Sequence, residues 1–197
     1  MIAVVDYGAG NLRSVSNTLD ALNANYVIVR KPETLKDAAR IILPGVGHFG
    51  QMMRALDAMD MRGPLVNRIE GGTPFLGICL GMQALFESSA EAPDVAGFGI
   101  FEGSVERFAK DVRVPHMGWN RVKPRENSRL FRELIAPPWF YFAHSYYVPA
   151  KALAAATCDY SVPFTASLEH ENVFGVQFHP EKSAAAGAEL IQKFLEL

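Results

Sequence analysis

The sequence predicts an α/β protein: a mostly parallel central sheet flanked by helices, with a β-rich, antiparallel second half. Three observations carry this reading. Over residues 1–87, short apolar runs alternate with segments whose apolar residues recur at helical spacing, as in strands joined through crossover helices. From about residue 98 to 178, strand-favouring segments follow one another with turns between them. The chain then closes on an amphipathic segment, 183–197.

Each element has its own justification. Ile2 to Val5 is a continuous apolar run, read as a buried strand and stopped by Tyr7-Gly8-Ala9-Gly10. Asn11 to Ala24 is a helix, with Leu12, Val15, Leu19 and Leu22 on one face. Tyr26 to Val29 is a second strand, and Glu33 to Ala39 a short helix after Pro32. Arg40 to Leu43 is a third strand, ended by Pro44-Gly45-Val46-Gly47. Gln51 to Met61 is helical, Pro74 to Ile78 a fourth strand, and Leu80 to about Glu87 a helix. In the second half 98–108, 139–148, 154–160, 165–169 and 173–178 favour strand, with turns that suggest antiparallel pairing. Ser183 to Leu197 is the closing helix, with Leu190, Ile191, Phe194 and Leu195 on one face.

Composition narrows the function. The chain has 197 residues, 49% hydrophobic and 20% charged, which suits one domain spanning 1–197; no repeat, low-complexity tract or linker divides it. Nineteen basic residues against twenty-one acidic leave no positive excess to neutralise a phosphate backbone, so nucleic acid is a poor partner. The aromatic-rich stretch from Ile135 to Ala143 is too short to span a bilayer and contains Pro137 and Pro138. The N-terminus has no basic segment before its first apolar run, so no signal peptide is expected. Two cysteines, Cys79 and Cys158, are read as free thiols, and a cytoplasmic location is expected.

Gly77-Ile78-Cys79-Leu80-Gly81 is the most informative segment. It has the glycine spacing of a nucleophile elbow, with cysteine in place of serine, between a predicted strand and a predicted helix. Such a turn exposes the side chain, and the helix N-terminus favours a thiolate. Alone, the pentapeptide suits a buried structural cysteine equally well. His179, in Gln177-Phe178-His179-Pro180-Glu181, is the candidate base. Pro180 biases it to an extended backbone, in which His179 and Glu181 share a face, so that the carboxylate can orient the imidazole. Pro44-Gly45-Val46-Gly47 ends a strand with glycines whose backbone can turn N–H groups into a cleft, as an oxyanion hole requires; a plain turn would read the same. His48, His116, His144 and His170 lack metal-ligand spacing, so no metal is expected. Gly8-Ala9-Gly10 begins like a dinucleotide loop, but Arg13 stands where the third glycine belongs; no cofactor is expected.

Taken together, Pro-Gly-Val-Gly at 44–47, Gly-Ile-Cys-Leu-Gly-Met-Gln at 77–83, His-Ser-Tyr at 144–146 and Gln-Phe-His-Pro-Glu at 177–181 resemble the class I (triad-type) glutamine amidotransferase family. The resemblance covers nearly the whole chain and implies that family's flavodoxin-like fold. It implies that Cys79 attacks the glutamine amide, that His179 moves the proton, and that Glu181 holds His179. The Val46 and Leu80 N–H groups would hold the oxyanion, and Gly47, Gln83, Ser145 and Tyr146 would bind glutamine. Gln83 lies one helical turn beyond Cys79. The segments at 6–11 and 115–120 place the resemblance among glutaminases that pass ammonia to a (β/α)8-barrel cyclase, with Asn11, Met117 and Trp119 as candidate docking residues. Two alternatives stand beside it: a glutaminase serving another synthase (pyridoxal phosphate or anthranilate), and a non-catalytic thiol sensor of similar fold.

Overall fold

The computed structural model describes residues 1–9, 11–150 and 153–197. In the first half the chain runs β1 (Ile2–Val5), α1 (Leu12–Ala21), β2 (Tyr26–Val29), β3 (Arg40–Gly45), α2 (Phe49–Ala58), α3 (Arg62–Glu70), β4 (Phe75–Cys79), α4 (Leu80–Gln83) and β5 (Phe86–Ser89). The second half contributes β6 (Phe101–Arg107), β7 (His116–Arg121), β8 (Lys123–Pro124), β9 (Trp139–His144) and β10 (Tyr146–Tyr147). It ends with β11 (Ala154–Tyr160), β12 (Val162–His170), β13 (Val173–Val176) and α5 (Ala184–Glu196).

Among the described residues, eight strands form one sheet in the order β2-β1-β3-β4-β13-β12-β11-β8. The first five run parallel; from β13 onward the pairing is antiparallel. The α/β architecture is therefore as the sequence predicts, with one refinement. β13 lies parallel beside β4, with Val176 opposite Ile78, so the last strand completes the parallel half and does not belong only to the antiparallel set. A strand entering there presents the segment after it at the same sheet end as the segment after β4.

Alternation along β1 divides the core. Ala3 and Val5 face a cluster with Leu43, Phe49, Met53 and Leu65, while Ile2 and Val4 face one with Val15, Leu19, Leu190 and Phe194. The second cluster is unusually aromatic where β9 packs down: Phe140 stacks on Phe178 at 4.0 Å, and Phe142 meets Phe178 edge-on.

Several predicted elements differ. The first helix ends at Ala21 because Asn23 takes a left-handed conformation (φ 52°). The segment after Pro32 is only a 3-10 turn, Pro32–Leu35. The helix expected over 51–61 begins earlier, at Phe49, where the His48 ring accepts the Gly50 N–H at 3.1 Å. The helix after Cys79 is a single turn, and a strand begins at Phe86. The run expected over 139–148 is broken at Ser145. α3, β5 and β7 were not expected. Of the Gly8-Ala9-Gly10 loop, Gly10 lies outside the described residues.

Glycine allows α4 to sit against the sheet. A Cβ on Gly81 would stand 2.0 Å from the Leu43 carbonyl oxygen, and one on Gly77 would stand 2.5 Å from that of Gly81. Gly81→Ala is therefore expected to cost about 3 kcal/mol or more in urea unfolding, since backbone, not a flexible side chain, must move. Gly63, in α3 with open space around its Cβ position, provides the contrast. Gly63→Ala is expected to add about 0.5–1 kcal/mol through helix propensity. Equal effects of the two would contradict the packing account.

Candidate active site

Cys79 is the last residue of β4 and caps α4, with φ 53° and ψ −106°. For a non-glycine residue this costs ~1–3 kcal/mol, and it persists because the packing of Gly77 and Gly81 leaves the turn no room to relax. The side chain is buried. The Leu80 N–H is the first of α4 and has no intrahelical acceptor.

His179 arrives from the adjacent strand. Its N–H donates to the Tyr141 carbonyl at 2.8 Å, and the Ser183 hydroxyl donates to the His179 carbonyl at 2.6 Å while accepting the Tyr141 N–H at 2.9 Å. These bonds fix the imidazole, whose Nδ1 lies 2.9 Å from Glu181 Oε1. The expected pair forms, but by another route than a shared extended face. His179 is extended (φ −102°, ψ 93°), whereas Pro180–Lys182 is a 3-10 turn that brings the carboxylate back to Nδ1 of the ring. Burial pulls the His179 pKa down. The charge on Cys79 and a hydrogen bond to it, with a bond and charge from Glu181, outweigh that and raise it to about 10. The imidazole therefore sits as a cation between two acidic groups.

Gln177 was not singled out from the sequence. Its Nε2 donates to Cys79 Sγ at 3.5 Å, and its Oε1 accepts from Gln83 Nε2 at 2.9 Å. Gln83 also donates to the Tyr146 carbonyl at 2.9 Å. The Gln83 amide nitrogen is thus held by two acceptors of the protein, while the residue still lines the same cleft as Cys79. The signal for Gln177 was its place two residues before His179, on the same strand face.

Val46, the expected oxyanion donor, is held at both of its backbone polar groups. Its N–H is donated to the Tyr7 hydroxyl at 3.1 Å, and its carbonyl accepts from the same hydroxyl at 3.2 Å. In this arrangement of the loop the Val46 N–H is engaged by Tyr7. Gly47 is left-handed (φ 96°) with open space around it. Asn11, expected at a docking face, is partly buried, and its Nδ2 lies 3.2 Å from Glu181 Oε1.

A cleft of about 250 Å³ joins these parts. It is smaller than the ~300–1,000 Å³ of sites for drug-sized ligands, and so suits an amino-acid-sized molecule. Val46, Gly47, Cys79, Leu80, Gln83, Ser145, Tyr146 and His179 all line it. Glu91 and Lys182 also line it and were missed; Glu91 is held by the Phe49 N–H, at 2.7 Å from Oε2. Met117 and Trp119 lie on β7 and are 64% and 51% exposed, as candidate docking residues and not core. Among the described residues no group of three His, Cys, Asp or Glu could hold a metal ion. Among the described residues no helix is long and apolar enough to cross a membrane.

His144 lines the cleft but is not placed as a base. Its Nδ1 faces the Tyr146 carbonyl at 2.8 Å, and its Nε2 lies 3.0 Å from His116 Nδ1. The carbonyl requires a proton on His144 Nδ1, which leaves Nε2 to accept from His116. Burial lowers both pKa values, to about 3 for His144 and about 4 for His116.

Comparison with known proteins agrees with this geometry. The family model described as Glutamine amidotransferase class-I matches residues 3–197. Relatives include the imidazole glycerol phosphate synthase subunit HisH of Thermococcus kodakarensis, 44% identical with all of both chains covered. That of Methanothermobacter thermautotrophicus is 43% identical, covering 100% of this chain and 98% of its own. Among solved structures, a glutamine amidotransferase matches with TM-score 0.79 at 20% identity, over 100% of this chain and 98% of that one. PurLQS from Thermotoga maritima matches with TM-score 0.73 at 21% identity, over 99% and 97%. At such identities the structural matches speak for the fold.

The neutral histidine pair has a consequence for stability. In the unfolded chain both rings protonate near their ordinary pKa of 6.5, whereas in the folded protein they remain neutral to about 4 and 3. The unfolded state therefore binds more protons below about pH 6.5, and stability falls as pH falls. The expected slope approaches ~1.4 kcal/mol per pH unit for each ring. Urea unfolding between about pH 6.5 and 4 should show it, and His116→Gln should remove about half of it. A flat profile would contradict the assignment of neutral rings.

Proposed function

The chain belongs to the class I glutamine amidotransferase family, and we propose that it is the glutaminase subunit of an imidazole glycerol phosphate synthase. The observation that carries this reading is the contact of Cys79, His179 and Glu181 at neighbouring strand ends, with a cleft of amino-acid size above Cys79. The names and full-length coverage of the relatives support the choice of synthase.

Glutamine lies with its side-chain amide at Cys79 and its α-ammonium toward Glu91, the carboxylate lining the cleft. Sγ attacks the amide carbon, giving a tetrahedral oxyanion that the Leu80 N–H and a donor from the 45–47 loop hold. His179 passes its proton to the amide nitrogen, the C–N bond breaks, and ammonia leaves a thioester on Cys79. His179, now neutral, takes a proton from water, whose oxygen attacks the thioester carbon. The C–S bond then breaks, releasing glutamate and regenerating the thiolate and imidazolium. Glu181 keeps the proton on Nδ1 throughout, so Nε2 alone serves Sγ.

Ammonia set free in water is diluted and protonated, so the subunit is proposed to act docked on a (β/α)8-barrel cyclase. The cyclase would use the ammonia to convert a phosphoribosyl-formimino carboxamide nucleotide into imidazole glycerol phosphate and an aminoimidazole carboxamide ribotide. Met117 and Trp119 are the proposed docking residues, and what supports them is that they stand exposed on β7, opposite Ala143 and Tyr141 of β9, with Ala143 lining the cleft. Asn11 enters that proposal on family resemblance, while its contact is with Glu181.

Cys79→Ala is expected to abolish synthesis from glutamine and leave synthesis from added ammonium salt. Equal loss of both would mark Cys79 as structural. His179→Ala is expected to accumulate no thioester in rapid-quench experiments with labelled glutamine, whereas Glu181→Ala should retain a reduced rate, as the orienting member often does. Label trapped at the wild-type level in the His179 variant would overturn its role.

A further inference from the structure

Tyr7 follows β1 and is buried. Its hydroxyl lies between the two polar groups of a single residue, accepting the Val46 N–H at 3.1 Å and donating to the Val46 carbonyl at 3.2 Å. A phenol fills both roles only while protonated. Burial above all, with the charges of Cys79 and Asp6 adding to it, pushes the Tyr7 pKa up to about 12 and keeps it so. The base of the loop is also fixed: Asp6 accepts the Gly8 N–H at 2.9 Å and Arg30 Nε at 2.6 Å. Tyr7 therefore grips Val46 from an anchored position.

The loop it grips has one rigid end and one free end. A Cβ on Gly45 would stand 2.6 Å from the Gly81 nitrogen, so Gly45 is packed directly against the turn that carries Cys79. Gly47, at φ 96°, meets nothing within 4 Å of its Cβ position. Packing at Gly47 therefore sets no limit on the loop there, and the Tyr7 hydroxyl holds both the Val46 N–H and the Val46 carbonyl. A backbone N–H carries one hydrogen, and while Tyr7 holds it, no oxyanion on a substrate at Cys79 can receive it.

We propose that Tyr7 is a positioning residue that withholds the Val46 N–H from the cleft, so that release of this contact sets the rate of glutamine turnover in the free subunit. The inference rests on the glutaminase reading above and adds to it a named hydroxyl that controls one oxyanion donor. Release would supply a transition-state interaction without altering the contacts of bound glutamine, so it should act on kcat and not on KM.

The test is glutamine hydrolysis by the isolated chain, wild type against Tyr7→Phe, which keeps the ring and removes the hydroxyl. The expected result is a rise in kcat of about tenfold, with KM within about twofold. Alkylation of Cys79 by iodoacetamide proceeds without an oxyanion, so its rate should be unchanged, whereas a loosened site would alter it. Tyr7→Met, flexible enough to fill the space, carries the same expectation and keeps the test open if the phenylalanine variant folds poorly. A kcat that is unchanged or lower in a folded variant overturns the proposal, as does a rise matched by faster alkylation. Glutamine hydrolysis by the wild type, measured also with the barrel cyclase bound, separates the two readings. If wild type hydrolyses glutamine and the variants are no faster, only the Tyr7 inference fails; if wild type never does, both fail.

Discussion

The parallel insertion of β13 beside β4 is the constraint on which the site depends. These strands are about a hundred residues apart in the chain, yet pairing Val176 with Ile78 sends both segments out at one edge of the sheet. Cys79 follows one strand and Gln177 to Glu181 the other; β3 adds the 45–47 loop at the same edge, with Gly45 opposite Cys79. Three segments distant in sequence therefore converge without any long loop having to be ordered. This is the crevice beyond the carboxyl ends of parallel strands where open α/β sheets bind their ligands. The strained turn at Cys79 is tolerated because its neighbours are glycines packed against backbone, so the same contacts that hold α4 down hold the side chain up.

Much of this was legible in the sequence, and what was not has identifiable causes. The strands of the parallel half are continuous apolar runs because both faces are covered, and such runs need no partner to be recognised. β7 was missed because its polarity is inverted. His116 points inward, while Met117 and Trp119 stand in solvent, so the hydrophobic alternation expected of a half-buried strand is absent. α3 buries only Leu65 and Ile69, too few to give a helical stripe. The helix after Cys79 stops after one turn because Phe86 leaves to pair with Phe101 of β6, a contact between distant residues that local propensity does not contain.

The site divides in the same way. Cys79, His179 and Glu181 were legible because turn chemistry and short spacing are local properties. Gln177, one strand period before His179, carried a usable signal that was not used. The grip of Tyr7 on Val46 joins residues 39 apart, and that of Asn11 on Glu181 joins residues 170 apart. No pattern within one segment encodes either. Both start from the loop after β1, so the opening of the chain touches the 45–47 loop on one side and the His179 carboxylate partner on the other.

Two buried histidines near one cleft make the electrostatic logic explicit. Burial disfavours the imidazolium at both positions, and what differs is the company. His144 faces a carbonyl and another histidine, neither of which can stabilise a cation enough to offset desolvation, so it stays neutral. His179 faces a carboxylate on one side and the Cys79 sulfur on the other, and its charge is thereby kept. Charge is confined to the ring that stands between Glu181 and Cys79, while the second ring acts as a neutral brace between β7 and the 144–146 bend. A carboxylate placed beside His144 would remove that distinction and leave two cations lining one cleft.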